Sequence, residues 1–429
     1  MGNGMLNRRD FLRIGATAAA GAVVAGCVQM PAATSDGEMA APDEVPREVR
    51  LTGHNRPIYH EMNERFTEET GIEVAMEYHP PKWEEILAKF TLWGESGYDG
   101  IDVEAQDDQI ASLYSFKRWC FDLSHLMTDE ERADQADAVL GLTEQVGGFQ
   151  ARMFFFVGAE PFYFNKELVP EAPKTWEEMV EVAKTVTDPE NDVWGWRPNA
   201  GSHNMNLTLM MVNHAGGNNE TLDDEGTLTA LQFMRDWVFE YEITPPTVVS
   251  EAAEEIMALA PAGKAGMWWM YEGNYGPLLE VEGGMLTPET LGVSRWPMGP
   301  SSDELMVHAW GWLIPVYTPR KELAEEFVSW MTQYDNIKWL ITDLQITPPR
   351  KSMYNDPEVT DKIPILRAGP GWEELTRGAK FRCPVVCHPN AGALSLIFQD
   401  AGLFVMAGER SPEEVRDWAA NEIAIAMEA

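Results

Sequence analysis

The sequence predicts an α/β protein with enough chain for two domains. Strand-type and helix-type patterns alternate along the chain, which argues for α/β layers. Once an N-terminal address of 26 residues is set aside, 403 of the 429 residues remain, ample for two ordinary cores. Neither an internal repeat nor a heptad run interrupts the alternation.

The address comes first. Asn7-Arg8-Arg9-Asp10-Phe11-Leu12-Arg13 is a twin-arginine export signal in a basic segment. The apolar run Ile14 to Val24 that follows is too short to span a bilayer as a stable helix. It ends at Val24-Ala25-Gly26-Cys27, which resembles the lipobox of lipoproteins. There the leader, residues 1–26, is cut before the cysteine and the Cys27 thiol takes a diacylglycerol. The alternative is an ordinary cleaved leader with a chance cysteine. A lipid anchor would hold the chain at a membrane with no transmembrane helix. Residues 27–46 are rich in Pro, Ala, Ser, Asp and Glu without apolar period, and read as a flexible tether.

The folded part alternates as follows. Glu48-Val49-Arg50-Leu51-Thr52 is a strand stopped by Gly53, and Ile58, Met62 and Phe66 mark a helix. Ile72, Val74, Met76 and Tyr78 alternate as a strand. Trp83, Ile86, Leu87 and Phe90 line a second helix, and Gly100 to Val103 reads as a strand. Phe154–Val157 and Phe162–Phe164 are extended aromatic segments around Gly158 and Pro161. Thr175-Trp176-Glu177-Glu178 and Ser411-Pro412-Glu413-Glu414 are capping boxes that open helices. Between them come a helix over Thr229–Tyr241, a strand over Gly266–Met270, a strand over Trp310–Val316, and a helix opened by Thr318-Pro319 with Leu323, Phe327 and Met331 inward.

The formal net charge is −37, and loss of the leader, which holds Arg8, Arg9, Arg13 and Asp10, would make it −39. Such a surface repels phosphate backbones and excludes a nucleic-acid partner. Lysine is scarce, 12 against 20 arginines, a balance that suits high salt, where self-repulsion is screened. Of four cysteines, Cys27 is assigned to lipid and Cys120 to a buried thiol; Cys383 and Cys387 are close enough to pair. No second ligand pair stands at zinc spacing, so no metal is expected, and no cofactor motif appears.

The order of segments resembles the extracellular solute-binding proteins that include the maltose and maltodextrin binders. Phe66-Thr67-Glu68-Glu69-Thr70-Gly71-Ile72-Glu73-Val74 is similar to that family's "F-E-x-x-T-G-I-x-V" junction. Tyr98-Asp99-Gly100-Ile101-Asp102-Val103 is similar to "G-x-x-P-D-V", with Ile101 in place of Pro. Phe164-Asn165-Lys166-Glu167-Leu168 followed by Pro173-Lys174-Thr175-Trp176-Glu177-Glu178 resembles "Y-N-K-x-L … P-x-T-W-E-E". Gly263-Lys264-Ala265-Gly266-Met267 resembles "G-K-A-A-M", and Thr347-Pro348-Pro349-Arg350 resembles the late "P-x-R". Five such pieces in one order span nearly the whole folded part.

The resemblance implies a type II periplasmic-binding-protein-like fold of two α/β lobes, with ligand in the cleft between them. Lobe 1 would comprise residues 47–157 plus 309–348, and lobe 2 residues 158–308 plus 349–429. It also implies a monomer that closes by hinge motion around a small solute and delivers it to the permease of an ABC importer.

Ligands in open α/β sheets bind beyond the carboxyl ends of strands. That rule selects His54 and Asn55, then Gln106 and Asp107, then Tyr271 and its neighbours. A sugar needs aromatic faces for its C–H surfaces and Asp, Glu, Asn, Gln or Arg for its hydroxyls, and these loops supply both. The resemblance places the aromatic sugar platform on Tyr275. It puts Gly158 at an acidic position with Glu160 close by, and Gln106 where maltose binders carry Trp. Trp268 and Trp269 point to opposite faces of a strand, so at most one faces a cleft; Trp269 is the candidate. Trp310 lies nearer the inter-lobe crossover than Trp312, and Arg350 is either a ligand contact or an inter-lobe ion pair. Trp237, Trp330, Trp339 and Trp418 fall in helical patterns and read as core, while His54 and Asn55 have helix capping as their alternative role.

The expected function is carbohydrate binding, mono- or oligosaccharide. A polyamine or other cation is the second reading, because an acidic cleft would favour it. A secreted glycosidase is the third, but no carboxylate pair stands out, and no P-loop, Gly-x-Ser-x-Gly or His-Glu-x-x-His is present.

Overall fold

The computed structural model describes residues 47–80, 83–137, 139–140, 148–201, 204–382 and 385–428. The leader, Cys27, the tether and Cys383 lie outside them. Two sheets organise the chain, as the alternation requires.

The first sheet is built from β1 (Glu48–Gly53), β2 (Glu73–Tyr78), β3 (Val103–Gln106), β4 (Arg152–Ala159), β9 (Met306–Leu313) and β10 (Lys380–Phe381). β1 pairs in parallel with β2 on one side and β3 on the other; β9 then pairs antiparallel with both β3 and β4. Three helices follow the first three strands: α1 (Pro57–Thr70), α2 (Trp83–Ser96) and α3 (Asp108–Lys117). The apolar stripe of α1 goes inward as its spacing predicts, with Ile58, Met62 and Phe66 buried against Leu51, Trp312 and Phe327. Gly71 ends α1 at φ 71, a conformation open to glycine at no steric penalty.

The second sheet runs β6-β7-β5-β8: β5 (Phe162–Asn165), β6 (Trp194–Trp196), β7 (Ala265–Trp269) and β8 (Leu291–Ser294). Helices α4 (Trp176–Val186), α5 (Asn204–Ala215) and α6 (Glu225–Phe239) belong to this half. Trp268 and Trp269 alternate across β7, yet both are fully buried, because this sheet is covered on both faces; Trp268 stacks on Tyr163 at 6.0 Å.

Chain crosses between the sheets along the β4–β9 ribbon, where Gly158 faces His308 and Ala159 faces Val307. A third strand of chain joins it: Thr347 exchanges hydrogen bonds with Val157, its carbonyl accepting from Val157 N at 3.3 Å and its hydroxyl donating to the Val157 carbonyl. α7 (Lys321–Met331) and α8 (Tyr334–Leu344) pack on the first half. The long C-terminal helices α9 (Ala391–Met406) and α10 (Pro412–Glu428) pack on α5 and α6. Within segment 349–429, expected in lobe 2, β10 therefore adds to the first sheet while the helices after it cover the second.

Several element boundaries move: the helix expected over Thr229–Tyr241 runs over Glu225–Phe239, and the helix expected to open at Thr318-Pro319 starts at Lys321. The strand expected at Gly100–Val103 runs over Val103–Gln106 instead. The buried Asp102 carboxylate accepts from Arg50 N at 2.8 Å, Arg320 Nε at 2.9 Å and the Thr318 hydroxyl, while its own N donates to the Arg50 carbonyl at 2.8 Å. The strand expected at Trp310–Val316 begins at Met306 and ends at Leu313. The Ser411–Glu414 box closes in both directions, whereas Glu178 reaches back to Lys174 N and not to its cap residue. Cys387 is disulfide-bonded and Cys120 is a buried free thiol. Among the described residues no helix is long and apolar enough to cross a membrane.

Candidate ligand-binding site

The strands of the first sheet end on an aromatic and imidazole cluster. His54 follows β1 and His79 follows β2; their rings meet edge to face at 4.8 Å. Trp310 of β9 lies 5.0 Å from His54 and 6.2 Å from His79. Burial lowers the proton affinity of both imidazoles, that of His79 to about 3, so both are neutral near pH 7. Both ring nitrogens of His79 are buried with no hydrogen-bond partner. Beside them Gln106 ends β3, its Nε2 donating to Glu104 Oε2 at 3.1 Å while its Oε1 stays unpaired. Burial pushes Glu104 up to about 8, so it stands as a neutral acid.

Asp107 and Asp108 open α3. Asp107 caps the helix, accepting from Gln109 N at 2.9 Å and Ile110 N at 3.2 Å. Burial raises it to about 6, with Arg382 opposing. Asp108 sits between Arg152 of β4 and Arg382, the latter at 3.0 Å. Burial alone would raise it, but the two guanidiniums outweigh that and hold it below the usual carboxylate range. Arg152 also donates to the carbonyls of Gln106 and Ala309, tying β3, β4 and β9 together.

Across from this lattice stands Glu160, in the turn between β4 and β5. Its Oε1 accepts from Asn206 Nδ2 of α5 at 2.9 Å, and the same amide lies 2.9 Å from the Tyr271 hydroxyl. Its backbone carbonyl accepts from Trp296 Nε1 at 2.8 Å, and its Oε2 is buried and unpaired. Glu272, after β7, accepts from Ala159 N at 3.0 Å and lies 3.9 Å from His308 Nε2; burial raises it to about 7. Tyr271 packs edge-on against His308 at 4.9 Å and feels the charges of Glu160, Arg382, Asp107 and Glu272 together. Gly158 leaves room for this meeting: a Cβ there would lie 2.4 Å from the His308 ring and 2.6 Å from Glu272. Gln109 of α3 touches Met205 of α5 and accepts from Ser395 of α9 at 3.2 Å, so the two rims are in contact.

The structure thus brings together six residues selected from sequence: His54, Gln106, Asp107, Glu160, Tyr271 and Trp310. Trp269 lies behind Tyr271, ring centroids 6.1 Å apart, fully buried. Three others stand elsewhere. Asn55 is exposed and its Oδ1 meets His60 at 3.4 Å. Tyr275 is 4% exposed and faces Tyr163 in the second core, because a short helix, Tyr275–Leu279, turns it inward. Arg350 donates to the Thr332 carbonyl at 2.6 Å and pairs with Glu131 at 3.5 Å, a structural contact remote from the cluster. Neither His54 nor Asn55 caps α1, whose cap residue is Arg56. Sequence reasoning missed His79, Arg152, Asn206, His308 and Arg382, while Glu272 stands in the loop that the strand-end rule selected with Tyr271. His79 carries the same signal as His54, since it follows β2 directly.

The model of the family described as "Bacterial extracellular solute-binding protein" matches residues 61–365. Among curated proteins, an arabinooligosaccharide-binding protein of Halalkalibacterium halodurans is 27% identical over 47% of this chain and 48% of its own length. A maltotriose-binding protein of Pyrococcus abyssi is 25% identical over 48% of this chain and 45% of its own. The chain therefore spans about half the length of the curated relatives it matches. The maltose-bound MalE3 of T. maritima superposes with a TM-score of 0.75 at 20% identity, covering 88% of this chain and 99% of that one. A solute-binding protein of Agrobacterium vitis with bound D-mannitol gives 0.72 at 20% identity, over 89% and 98%. These likenesses establish the two-lobed type II fold, and with the family match over residues 61–365 the chain belongs to the bacterial extracellular solute-binding proteins.

Proposed function

We propose that this protein captures a small carbohydrate for an ABC importer by closing its two lobes around it. One observation carries the reading: buried polar atoms without partners gather at the cleft, namely Glu160 Oε2, Asn206 Oδ1, Gln106 Oε1, Arg382 Nε and both nitrogens of His79. Each unpaired buried group costs about 1–3 kcal/mol, and the hydroxyls of a sugar would satisfy them. Trp310 supplies the flat apolar face that a pyranose needs beside those groups. Both curated relatives are described as oligosaccharide binders, and bound ligands among the similar structures include maltose and mannitol.

The ligand contacts in this reading are His54, His79, Gln106, Asp107, Glu160, Asn206, Tyr271 and Trp310. The lobes divide at residues 157, 308 and 348, and the chain acts as a binder without catalysis, as a monomer. It leaves the cell by the twin-arginine route and stays at the membrane through lipid on Cys27, where it meets the permease. Cys27→Ala should release the folded protein from the membrane fraction; retention to the same extent would refute the anchor. For the ligand, thermal shift with maltotriose, arabinotriose, mannitol and spermidine decides. At a hundred times Kd a ligand adds about 2.7 kcal/mol of stability. Binding of spermidine with no response to any carbohydrate would overturn the sugar reading and leave the two-lobed binder.

A further inference from the structure

We propose that Glu160 serves in this cleft as an uncharged carboxylic acid, its Oε2 hydroxyl donating to an acceptor oxygen of an uncharged ligand such as a sugar ring or glycosidic oxygen. The inference rests on the carbohydrate reading for its ligand but on the protein alone for the state of Glu160.

The surroundings argue against a carboxylate. Glu160 is fully buried, and among the described residues no cationic group lies within 4.0 Å of it. The charged and titratable groups facing it come from every neighbouring element. α5 brings the neutral amide of Asn206, and the loop after β7 brings Tyr271 and Glu272. β9 brings His308, and the start of α3 brings Asp107 and Asp108. Arg382 is the cation whose field reaches Glu160, but it is committed to Asp108 at 3.0 Å and Asp107 at 3.6 Å. With Arg152 and Arg382 already balancing Asp107 and Asp108, a further anion in this chamber would be a buried charge without a partner. Burial accordingly pushes Glu160 up to about 8, Arg382 opposing and Glu272 and Asp108 reinforcing. In that state Oε1 still accepts from Asn206, and Oε2 becomes a donor with no acceptor among the described residues.

The sign of the pH response separates ligand classes. A ligand that accepts from the acid form binds with constant affinity below about pH 8 and loses tenfold per pH unit above it. A cationic ligand prefers the carboxylate, so its affinity rises with pH up to about pH 8 and is level above it. The ligand-free protein gives an independent readout. A carboxyl whose folded pKa lies above its unfolded value binds more protons when folded, so stability falls as pH rises between the two values. Below pH 6.5 the buried histidines slope the other way, so the window from pH 6.5 to 8.5 reports the carboxyls.

The experiment compares wild type with Glu160→Gln, whose amide also donates but does not titrate. Melting temperature without ligand is measured from pH 6.5 to 8.5, and Kd for maltotriose and arabinotriose from pH 6.5 to 9. The expected result is a wild-type melting temperature that falls more steeply than that of Glu160→Gln, and a sugar affinity that falls about fivefold from pH 8 to 9 in wild type and stays level in the variant. Parallel melting curves overturn the neutral acid, as does a wild-type affinity that is flat to pH 9. Spermidine binding that tightens with pH overturns the donor role. If neither sugar binds at pH 6.5, the carbohydrate reading fails while the melting curves still decide the state of Glu160. Should Glu160→Gln not fold, infrared difference spectra between wild type and Glu160→Met decide: a protonated-carboxyl band that wild type carries at pH 6.5 beyond that of the variant, and loses by pH 9, supports the inference, and superimposable spectra refute it.

Discussion

Trp310 and Tyr275 are both aromatic residues near the ends of strands, and the structure gives them opposite surroundings. Trp310 is half-buried against His54 and His79 at the cleft, whereas Tyr275 is sealed in the second core against Tyr163. Trp310→Ala should therefore weaken sugar binding by about 1–3 kcal/mol, roughly ten- to a hundredfold in Kd, with little change in the ligand-free melting temperature. Tyr275→Ala should remove about 3–5 kcal/mol of stability, as truncating a buried aromatic does, before any effect on affinity. Calorimetric Kd and ligand-free denaturation of both variants check this; equal stability loss in the two would return Trp310 to the core. The burial of Tyr275 has a local cause. One residue more than the family spacing, with Gly276 and Pro277 behind it, winds the segment into a short helix that turns the ring inward. His79 was legible, because it follows β2 as His54 follows β1. Asn206 and Arg382 were not, since nothing in their own segments distinguishes them from the surface amides and arginines elsewhere; only the meeting of α5, β10 and the β4–β5 turn brings them to the candidate site.

Periodicity recovered the elements themselves, including α1, β2, α2, β5, β7 and both capping residues, Thr175 and Ser411. It misread where β3 starts, and the error has a physical source: Asp102, polar and fully buried, looks like a strand residue in an apolar run but acts as a clamp. Its carboxylate joins β1 through Arg50 N to the approach to α7 through Thr318 and Arg320, more than two hundred residues away. Asp102→Ala should leave those donors buried and unmatched and destabilise the first lobe by about 3–5 kcal/mol. Urea unfolding of the ligand-free protein measures this; a loss under about 1 kcal/mol would mean the clamp is relaxed by water. The β4–β9 ribbon shows the same principle in glycine. The sequence marks Gly158 as punctuation between two aromatic segments and, by the resemblance, as an acidic position without its acid; in the structure its missing side chain lets His308 and Glu272 approach the crossover.

The balance of charge acts on the molecule as a whole. Sixty-nine acidic residues oppose 32 basic ones, so most carboxylates have no cation to face and repel one another across the surface. Many of the ion pairs that do form are exposed, for example Arg65–Glu69, Arg367–Asp361 and Lys184–Glu181. Exposed pairs of this kind contribute about 0–1 kcal/mol each, and salt weakens them. The buried lattice of Asp107, Asp108, Arg152 and Arg382 is shielded from solvent and is screened far less. Added salt therefore removes a small attraction and a larger repulsion, and the repulsion dominates because the carboxylates outnumber the cations by more than two to one. The melting temperature should rise between 0.1 M and 1 M NaCl, as the Debye length shrinks from about 10 Å to about 3 Å. Beyond 1 M the gain should level off, since little interaction is left to screen. Sodium sulfate at equal ionic strength separates this from preferential exclusion, which stabilises by a different route and keeps rising with concentration. A flat or falling melting temperature in NaCl up to 1 M would show that surface pairing outweighs self-repulsion. A rise found only with sulfate would assign the effect to exclusion of the salt and not to charge.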